Sequence, residues 1–306
     1  MINFEQKTKR DIYFKLLEKE NKRLIDQKTG LLAKKYSNFI ECPLCAFNRF
    51  KKLFIKNGFT FVRCLKCKLV YVNPQVNEYT IKSFYSSSKA NNFWFQIMCS
   101  KTEKKWKAEY YKDALRLIEK HCSKNERSFL DVGCGNGQFM KIASKAGWNI
   151  EGVELNKKSV EFIKATYGYT VYNTEITEAP LKDNFYNVIT MFGVLEHLNN
   201  PIQVLKFLKK KLKKEGILLA ITPNVYSLYS MLLREKSKTF DGRNHLIYFS
   251  RETLLRLFKS LRFSVVSLDT VLTGKENIFK YIQFYEPYEP INNLYGLLDK
   301  KFLKDF

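Results

Sequence analysis

No run of eighteen apolar residues occurs in the 306-residue chain, so the sequence offers no candidate for a membrane-spanning helix and no membrane insertion is expected. The opening stretch, MINFEQKTKRDIYFKLL, lacks a continuous apolar core and a small-residue cleavage site, which argues against a secretory leader. Histidine is scarce: His121, His197 and His245 are the only imidazoles available to a proton-transfer scheme. Arginine is scarce too, at 11 of the 53 basic residues. The formal net charge of +23 is therefore carried mainly by lysines spread from end to end, with short clusters such as Lys209–Lys214. Phosphate grips lean on arginine forks or a focused basic patch. The charge is read first as a solubility and association term, with a nucleic-acid surface as the alternative. Seven cysteines, an odd number with four at metal-like spacing, suit a reducing, cytoplasmic setting better than a disulfide scaffold.

What is present divides the chain into five parts. Residues 1–39 form a charged segment with Ile12, Leu16, Leu17, Leu24, Leu31 and Leu32 at roughly helical spacing. Residues 40–74 form a compact unit around paired cysteines, with short strands expected at Phe61–Arg63 and Leu69–Val72. Residues 75–125 mix helical periodicity with aromatics, among them Phe84, Tyr85, Phe93, Trp94, Phe95, Trp106, Tyr110 and Tyr111, and read as a helical connector that covers a pocket. From 126 to 272 strands and helices alternate: strands at Ser128–Val132, Ile150–Leu155, Tyr169–Tyr172, Tyr186–Phe192, Gly216–Thr222 and Phe263–Leu268, and helices at Gln138–Ala146, Lys157–Tyr167, Pro201–Leu212 and Thr253–Ser260, the last capped by Ser250. That alternation predicts an α/β fold, a Rossmann-like parallel sheet flanked by helices. Residues 273–306 read as loop and helix, with no further strand.

The segment Asp131–Gly137, DVGCGNG, follows a strand and opens a helix, the setting of a nucleoside-binding loop. Gly133, Gly135 and Gly137 permit a tight bend that a ligand can approach closely. A dinucleotide fingerprint would place its third glycine at 138, where Gln138 stands. Glu154 closes the next strand, where a carboxylate can accept from both hydroxyls of a ribose.

These residues carry a resemblance. DVGCGNGQF followed by EGVELN resembles the cofactor half of class I S-adenosylmethionine-dependent methyltransferases. FYNVITMFGVLEHLNNP is similar to their fourth strand and the segment after it, GILLAITPNVYS to the fifth strand and its loop, and NHLIYFSRETLLRLF to a downstream active-site segment, in the ubiquinone-methyltransferase-like branch. The resemblance implies that Gly133, Gly135 and Gly137 lie beside the methionine part of S-adenosylmethionine, with Asp131 near its amino group. It also implies Glu154, with Leu155, at the ribose and Glu175 and Ile176 flanking the adenine. Such a reaction asks the protein to align a nucleophile, exclude water and, where needed, remove a proton. His197 and His245 both fall at the carboxyl edge of the expected sheet and are the candidate catalytic bases or orienting groups. Asn224 and Tyr226 are further candidates for substrate contact. Some relatives carry E-x-x-E-H and use a divalent metal; here Gly193 replaces the first Glu, leaving only Glu196 and His197, too few for a metal site.

Cys42, Cys45, Cys64 and Cys67 give C-x2-C-x18-C-x2-C, the spacing of a zinc ribbon. Four thiolates close a tetrahedral site, so the expected zinc is structural. ECPLC, FVRCLKCKLVYVNPQ and KSFYSSS resemble the front of a zinc-ribbon branch of class I methyltransferases that often act on nucleotide-linked or surface-polysaccharide sugars, which also brings Tyr85 toward the cofactor pocket. Three readings stand: a methyltransferase for a small molecule such as a sugar nucleotide, an RNA methyltransferase, or a non-catalytic protein that binds the cofactor. Cys134, in the loop, is assigned no redox role.

Overall fold

The computed structural model describes residues 8–122 and 127–270. Its centre is a five-stranded parallel sheet built from β6 (Ser128–Val132), β7 (Asn149–Val153), β8 (Thr170–Tyr172), β9 (Tyr186–Phe192) and β10 (Leu212–Ile221), in the order β10-β9-β6-β7-β8. Both faces are covered, and the period-2 alternation of the strands sorts their side chains between them. Leu130 and Val132 of β6 and Ile189 and Met191 of β9 join Leu205, Leu208 and Leu257, which come from helices α7 (Pro201–Lys211) and α9 (Arg251–Ser260). Phe129 and Val188 pack on the other face with Ala114, Leu115 and Ile118 of α4 (Lys101–His121) and Phe139 and Ala143 of α5 (Gln138–Lys145).

Local chemistry sets the helix ends. The Asn156 side chain accepts from Ser159 N–H to start α6 (Lys157–Tyr167), and Gly168 closes it at φ 71°. Asn200 caps α7 ahead of Pro201, whose missing N–H costs nothing in the first turn. Ser250 and Thr253 satisfy each other's backbone donors in a capping box at α9.

Two expectations need correction. Phe263–Leu268 forms no strand; Val265 is 36% and Val266 70% exposed, and β10 ends the sheet among the described residues. β10 and β8 each keep one unpaired edge among the described residues, yet this segment pairs with neither. In the lead segment the described α-helix is α1 (Arg10–Lys22), with one 3-10 turn at Lys34–Tyr36; Leu24 and Leu32 fold into turns that pack on the ribbon core, while Ile12 and Leu31 are exposed. The expected C-terminal extension, 273–306, lies outside the described residues.

The ribbon strands β2 (Phe50–Lys56), β3 (Phe59–Cys64) and β4 (Val70–Val72) make an antiparallel sheet. Its fourth strand, β11 (Ile247–Tyr248), comes from the far end of the chain, giving the order β11-β4-β3-β2. A small pair, β1 (Ser37–Asn38) with β5 (Gln75–Val76), closes the ribbon. Three helices come next: α2 (Glu78–Ser87), α3 (Lys89–Cys99) and α4, each started by a side-chain cap from Asn77, Ser88 or Ser100. Among the described residues no helix is long and apolar enough to cross a membrane.

Candidate active site

One cavity of about 770 Å³ runs along the carboxyl edge of the sheet, where ligands enter open α/β folds. In its first half the glycine loop leaves β6 with Gly133, Gly135 and Gly137 at φ 69°, 56° and 70°. A Cβ on Gly133 would come within 2.6 Å of Val194 Cγ2, and one on Gly137 within 2.8 Å of Ile163 Cγ1. Gly133 and Gly135 line the cavity; Gly137 does not, and instead lets α6 pack close against the start of α5. The Glu154 carboxylate accepts from Gly135 N–H at 2.9 Å and from Asn156 N–H at 2.8 Å, so it is fastened to the loop it was expected to face. Burial still pushes its carboxyl above the usual range, against the pull of those N–H donors. Asp131 accepts from the Thr190 hydroxyl at 2.8 Å; burial, reinforced by the Glu154 charge, raises it to about 7. Leu155, Glu175, Ile176 and Tyr85 all line the same space. The connector reaches over it: Asn136 donates to the Met98 carbonyl at 2.6 Å, Gln138 to the Lys104 carbonyl at 2.6 Å, and Lys82 of α2 meets Glu175 at 3.6 Å.

The second half holds two histidines. A 3-10 turn, Leu195–His197, carries Glu196 and His197 just past β9. His197 Nδ1 lies 2.7 Å from the Asn244 carbonyl, and His245 Nδ1 lies 2.9 Å from the Thr239 carbonyl. A carbonyl can only accept, so in the neutral ring each Nδ1 carries the proton and each Nε2 presents a lone pair. The rings sit edge to face at 4.8 Å. Burial, then the neighbouring His245, drive His197 down to about 3, so it stays neutral at physiological pH. Glu196 is 3% exposed and pushed upward by burial, against the pull of His245 and the Thr222 hydroxyl. Donor atoms of Glu196, His197 and His245 lie within 4.8 Å of one another, a spacing compatible with a shared cation as well as a shared proton. The sequence showed only the adjacent pair; the third member arrives through folding, across 48 positions. His121 is exposed at the end of α4, away from this cavity. Asn224 and Tyr226 also fall outside it: Asn224 bridges to Phe249, and Tyr226 packs on the ribbon-side core.

The cavity wall includes α1, which sequence reasoning left as a charged lead helix. Arg10 donates to both Glu103 oxygens at 3.0 and 2.9 Å, and Tyr13 accepts from Asn244 at 3.1 Å. Further along α1, Glu20 meets Arg243 at 3.2 Å and accepts from Ser88 at 2.7 Å. Tyr13, Phe14 and Trp94 give this wall an aromatic face, with the Tyr13 and Trp94 rings 4.9 Å apart. Asp241, close to the Tyr13 end of that wall, accepts from the backbone N–H of Arg243, Asn244 and His245 and so holds the His245 segment in its bend.

In the ribbon, the two cysteine turns have the same form: Ala46 N–H returns to Cys42 O at 2.9 Å and Lys68 N–H to Cys64 O at 3.1 Å, with Ala46 and Lys68 at φ 53° and 66°. The Cys42 and Cys67 sulfurs lie 3.4 Å apart and those of Cys45 and Cys64 3.6 Å. A tetrahedron of thiolates at about 2.3 Å from zinc has sulfur–sulfur edges of about 3.8 Å, so the quartet fits that ion.

Residues 104–268 match the profile of a methyltransferase domain family. The chain belongs to that family. The methyltransferase domain is 29% identical over 108 residues to the ubiquinone biosynthesis O-methyltransferase of Haemophilus ducreyi, a match spanning 32% of this chain and 46% of that enzyme. The chain thus spans about half the length of the curated relatives it matches there. An uncharacterized protein of Methanocaldococcus jannaschii, MJ1123, is 27% identical over 176 residues, 56% of this chain and 78% of the other. Among solved structures, the plantazolicin methyltransferase BpumL, in complex with S-adenosylhomocysteine and a pentazolic desmethylPZN analog, shares the fold with a TM-score of 0.50 and 18% identity over 60% of this chain and 73% of that one. The family match begins after the cysteine quartet, so the ribbon stands outside it.

Proposed function

We propose that this methyltransferase moves a methyl group from S-adenosylmethionine to a small cytoplasmic acceptor, a nucleotide-linked or surface-polysaccharide sugar, with zinc held by Cys42, Cys45, Cys64 and Cys67 as a structural ion. The observation that carries the reading is the union of Asp131, the Gly133–Gly135 bend and Glu154 in one cavity that also holds two histidines. The bound cofactor supplies an activated methyl on a sulfonium. Asp131 takes its ammonium, Glu154 its ribose, and Glu175 and Ile176 border the adenine. The volume suits a cofactor plus a small acceptor, within the usual range of about 300–1,000 Å³ for ligand sites. A cavity lined by the rings of Tyr13, Phe14 and Trp94 together with Asn199, Asp241 and Asn244 supports a sugar, which offers C–H faces to rings and hydroxyls to polar groups.

His245 is the proposed base. Its Nε2 lone pair would take the proton that the acceptor gives up in exchange for the cofactor's methyl group. His197, held near pKa 3, is too weak a base at neutral pH and orients the acceptor by accepting a hydrogen bond.

Calorimetry with S-adenosylhomocysteine followed by a labelled-methyl assay against sugar nucleotides and total RNA tests the reading. Binding with label on a sugar nucleotide is expected; label on RNA, with a salt-sensitive mobility shift, would replace the acceptor, and absence of binding would overturn the cofactor assignment. The pH dependence adds a second check. An ammonium favours ionised Asp131, so affinity should be full above about pH 8 and fall about tenfold per unit below 7. Asp131→Asn should bind weakly at every pH and lose this slope; a wild-type affinity flat from pH 5 to 8 would remove Asp131 from the ammonium.

A further inference from the structure

We infer that the cysteine quartet is the scaffold of the acceptor half of the active site: through the pairing of β4 with β11 it positions His245, while leaving the cofactor half independent. This rests on the reading of His245 as the acceptor-side base.

The chain of contacts is short. Cys64 ends β3 and Cys67 precedes β4 by three residues, so the two cysteines fix the turn from which β4 emerges. Leu69 O accepts from Cys64 N–H at 2.9 Å, tying the strand to the turn. Across β4, Val70 pairs with Tyr248 and Tyr71 with Ile247. Val72 N–H donates to the Leu246 carbonyl at 2.9 Å, and the Gln75 amide reaches the same oxygen at 3.4 Å. On its other side, Leu246 N–H donates to the Glu196 carbonyl at 2.8 Å, so one residue joins the ribbon to the histidine turn. The Tyr248 hydroxyl donates to the His245 carbonyl at 2.8 Å, and its ring lies 5.5 Å from Phe61 of β3 and 5.0 Å from Phe240. His245 is therefore held from both sides by groups whose own place depends on β3 and β4.

Among the described residues the cofactor half has no such strand pairing to the ribbon, though Leu130, Val132 and Val153 share a core with Cys64 and Tyr71. The glycine loop hydrogen-bonds to Glu154 and to Met98, and Glu154 stands on β7 and the start of α6, all outside the ribbon sheet. Cysteine clusters of this kind draw much of their order from the ion. Losing it should release β4, and with it β11, before it disturbs the parallel sheet.

The experiment uses the full zinc-loaded chain and compares it with the same chain after chelation and with Cys67→Ser. Three readouts are taken: S-adenosylhomocysteine affinity, amide exchange of residues 246–248, and the imidazole nitrogen spectrum, which three histidines keep simple. Expected results are an affinity within about twofold of wild type, exchange at 246–248 faster by about tenfold or more, and displaced His245 and His197 signals with His121 unmoved. Unchanged exchange and unchanged imidazole signals would overturn the inference. So would loss of S-adenosylhomocysteine binding on chelation, because the ion would then be supporting the whole fold. Failure of the untreated protein to bind S-adenosylhomocysteine would instead count against the methyl-transfer reading, which keeps the two apart.

Discussion

Replacing His245 with alanine should lower the rate of methyl transfer by about a hundredfold to ten-thousandfold, the span usual for losing a general base, while leaving S-adenosylhomocysteine affinity nearly unchanged. The separation has a geometric cause: His245 is anchored by Thr239 and Asp241, and none of its contacts reaches the glycine loop. Chemical rescue supplies the sharper check. Imidazole in the medium can take the proton in place of the missing Nε2, so it should restore part of the H245A rate. His197→Ala should instead raise the KM for the acceptor and change kcat less, because that ring orients the acceptor. Rescue of H197A, beside an unrescued H245A, would exchange the two roles.

Gly135→Val should weaken S-adenosylhomocysteine binding by about a hundredfold or more. Backbone strain adds to the loss of ligand clearance that the sequence suggests. The backbone at Gly135 sits at φ 56°, a region that a β-branched residue occupies only under strain. A first Cβ would meet, among protein atoms, Met98 at an ordinary 3.5 Å, so no protein neighbour forbids a methyl there. The strain would turn the 135 amide away from Glu154, freeing the carboxylate proposed for the ribose. Gly135→Ala should therefore fall between the two, at about a tenfold loss, and Gly147→Val should do nothing to binding, since that glycine closes a helix far from the cavity. Equal affinities for the alanine, valine and wild-type proteins would show that the loop does not carry the cofactor.

The parts of the fold that the sequence displayed are those with local causes. Helix α6 runs over the expected residues because Asn156 starts it and Gly168 stops it, and β9 over its expected span because it is an apolar run between polar neighbours. The quartet was legible because its two turns need only their own few residues. What escaped was long-range pairing. Strand β2 was not anticipated, since Phe50–Lys56 alternates imperfectly and bulges between Lys52 and Phe54. Nothing in residues 40–74 announces that their sheet will take its last strand from Ile247–Tyr248. Phe263–Leu268 failed the other way: the pattern was present and the pairing was not. At the site, the strand ends that bring Asp131, Glu154 and both histidines to one cavity were legible from the sequence. The groups that set their chemistry were not: Thr190, the carbonyls of Thr239 and Asn244, and α1 are brought in from distant parts of the chain.

Helix α1 also walls one side of the cavity. It lies along the cavity wall, fastened at one end by Arg10 to Glu103 and at the other by Glu20 to Arg243, pairs whose side chains are 17% exposed or less. A departing molecule on that side has to part charges that water scarcely reaches, and a fresh one has to wait until they part again. Removing one member of such a shielded pair costs about 3–5 kcal/mol, whereas wet surface pairs are worth about 1 kcal/mol or less. Turnover would then be paced by the breathing of a helix that precedes the ribbon in the chain, and salt in the medium would hurry it only modestly.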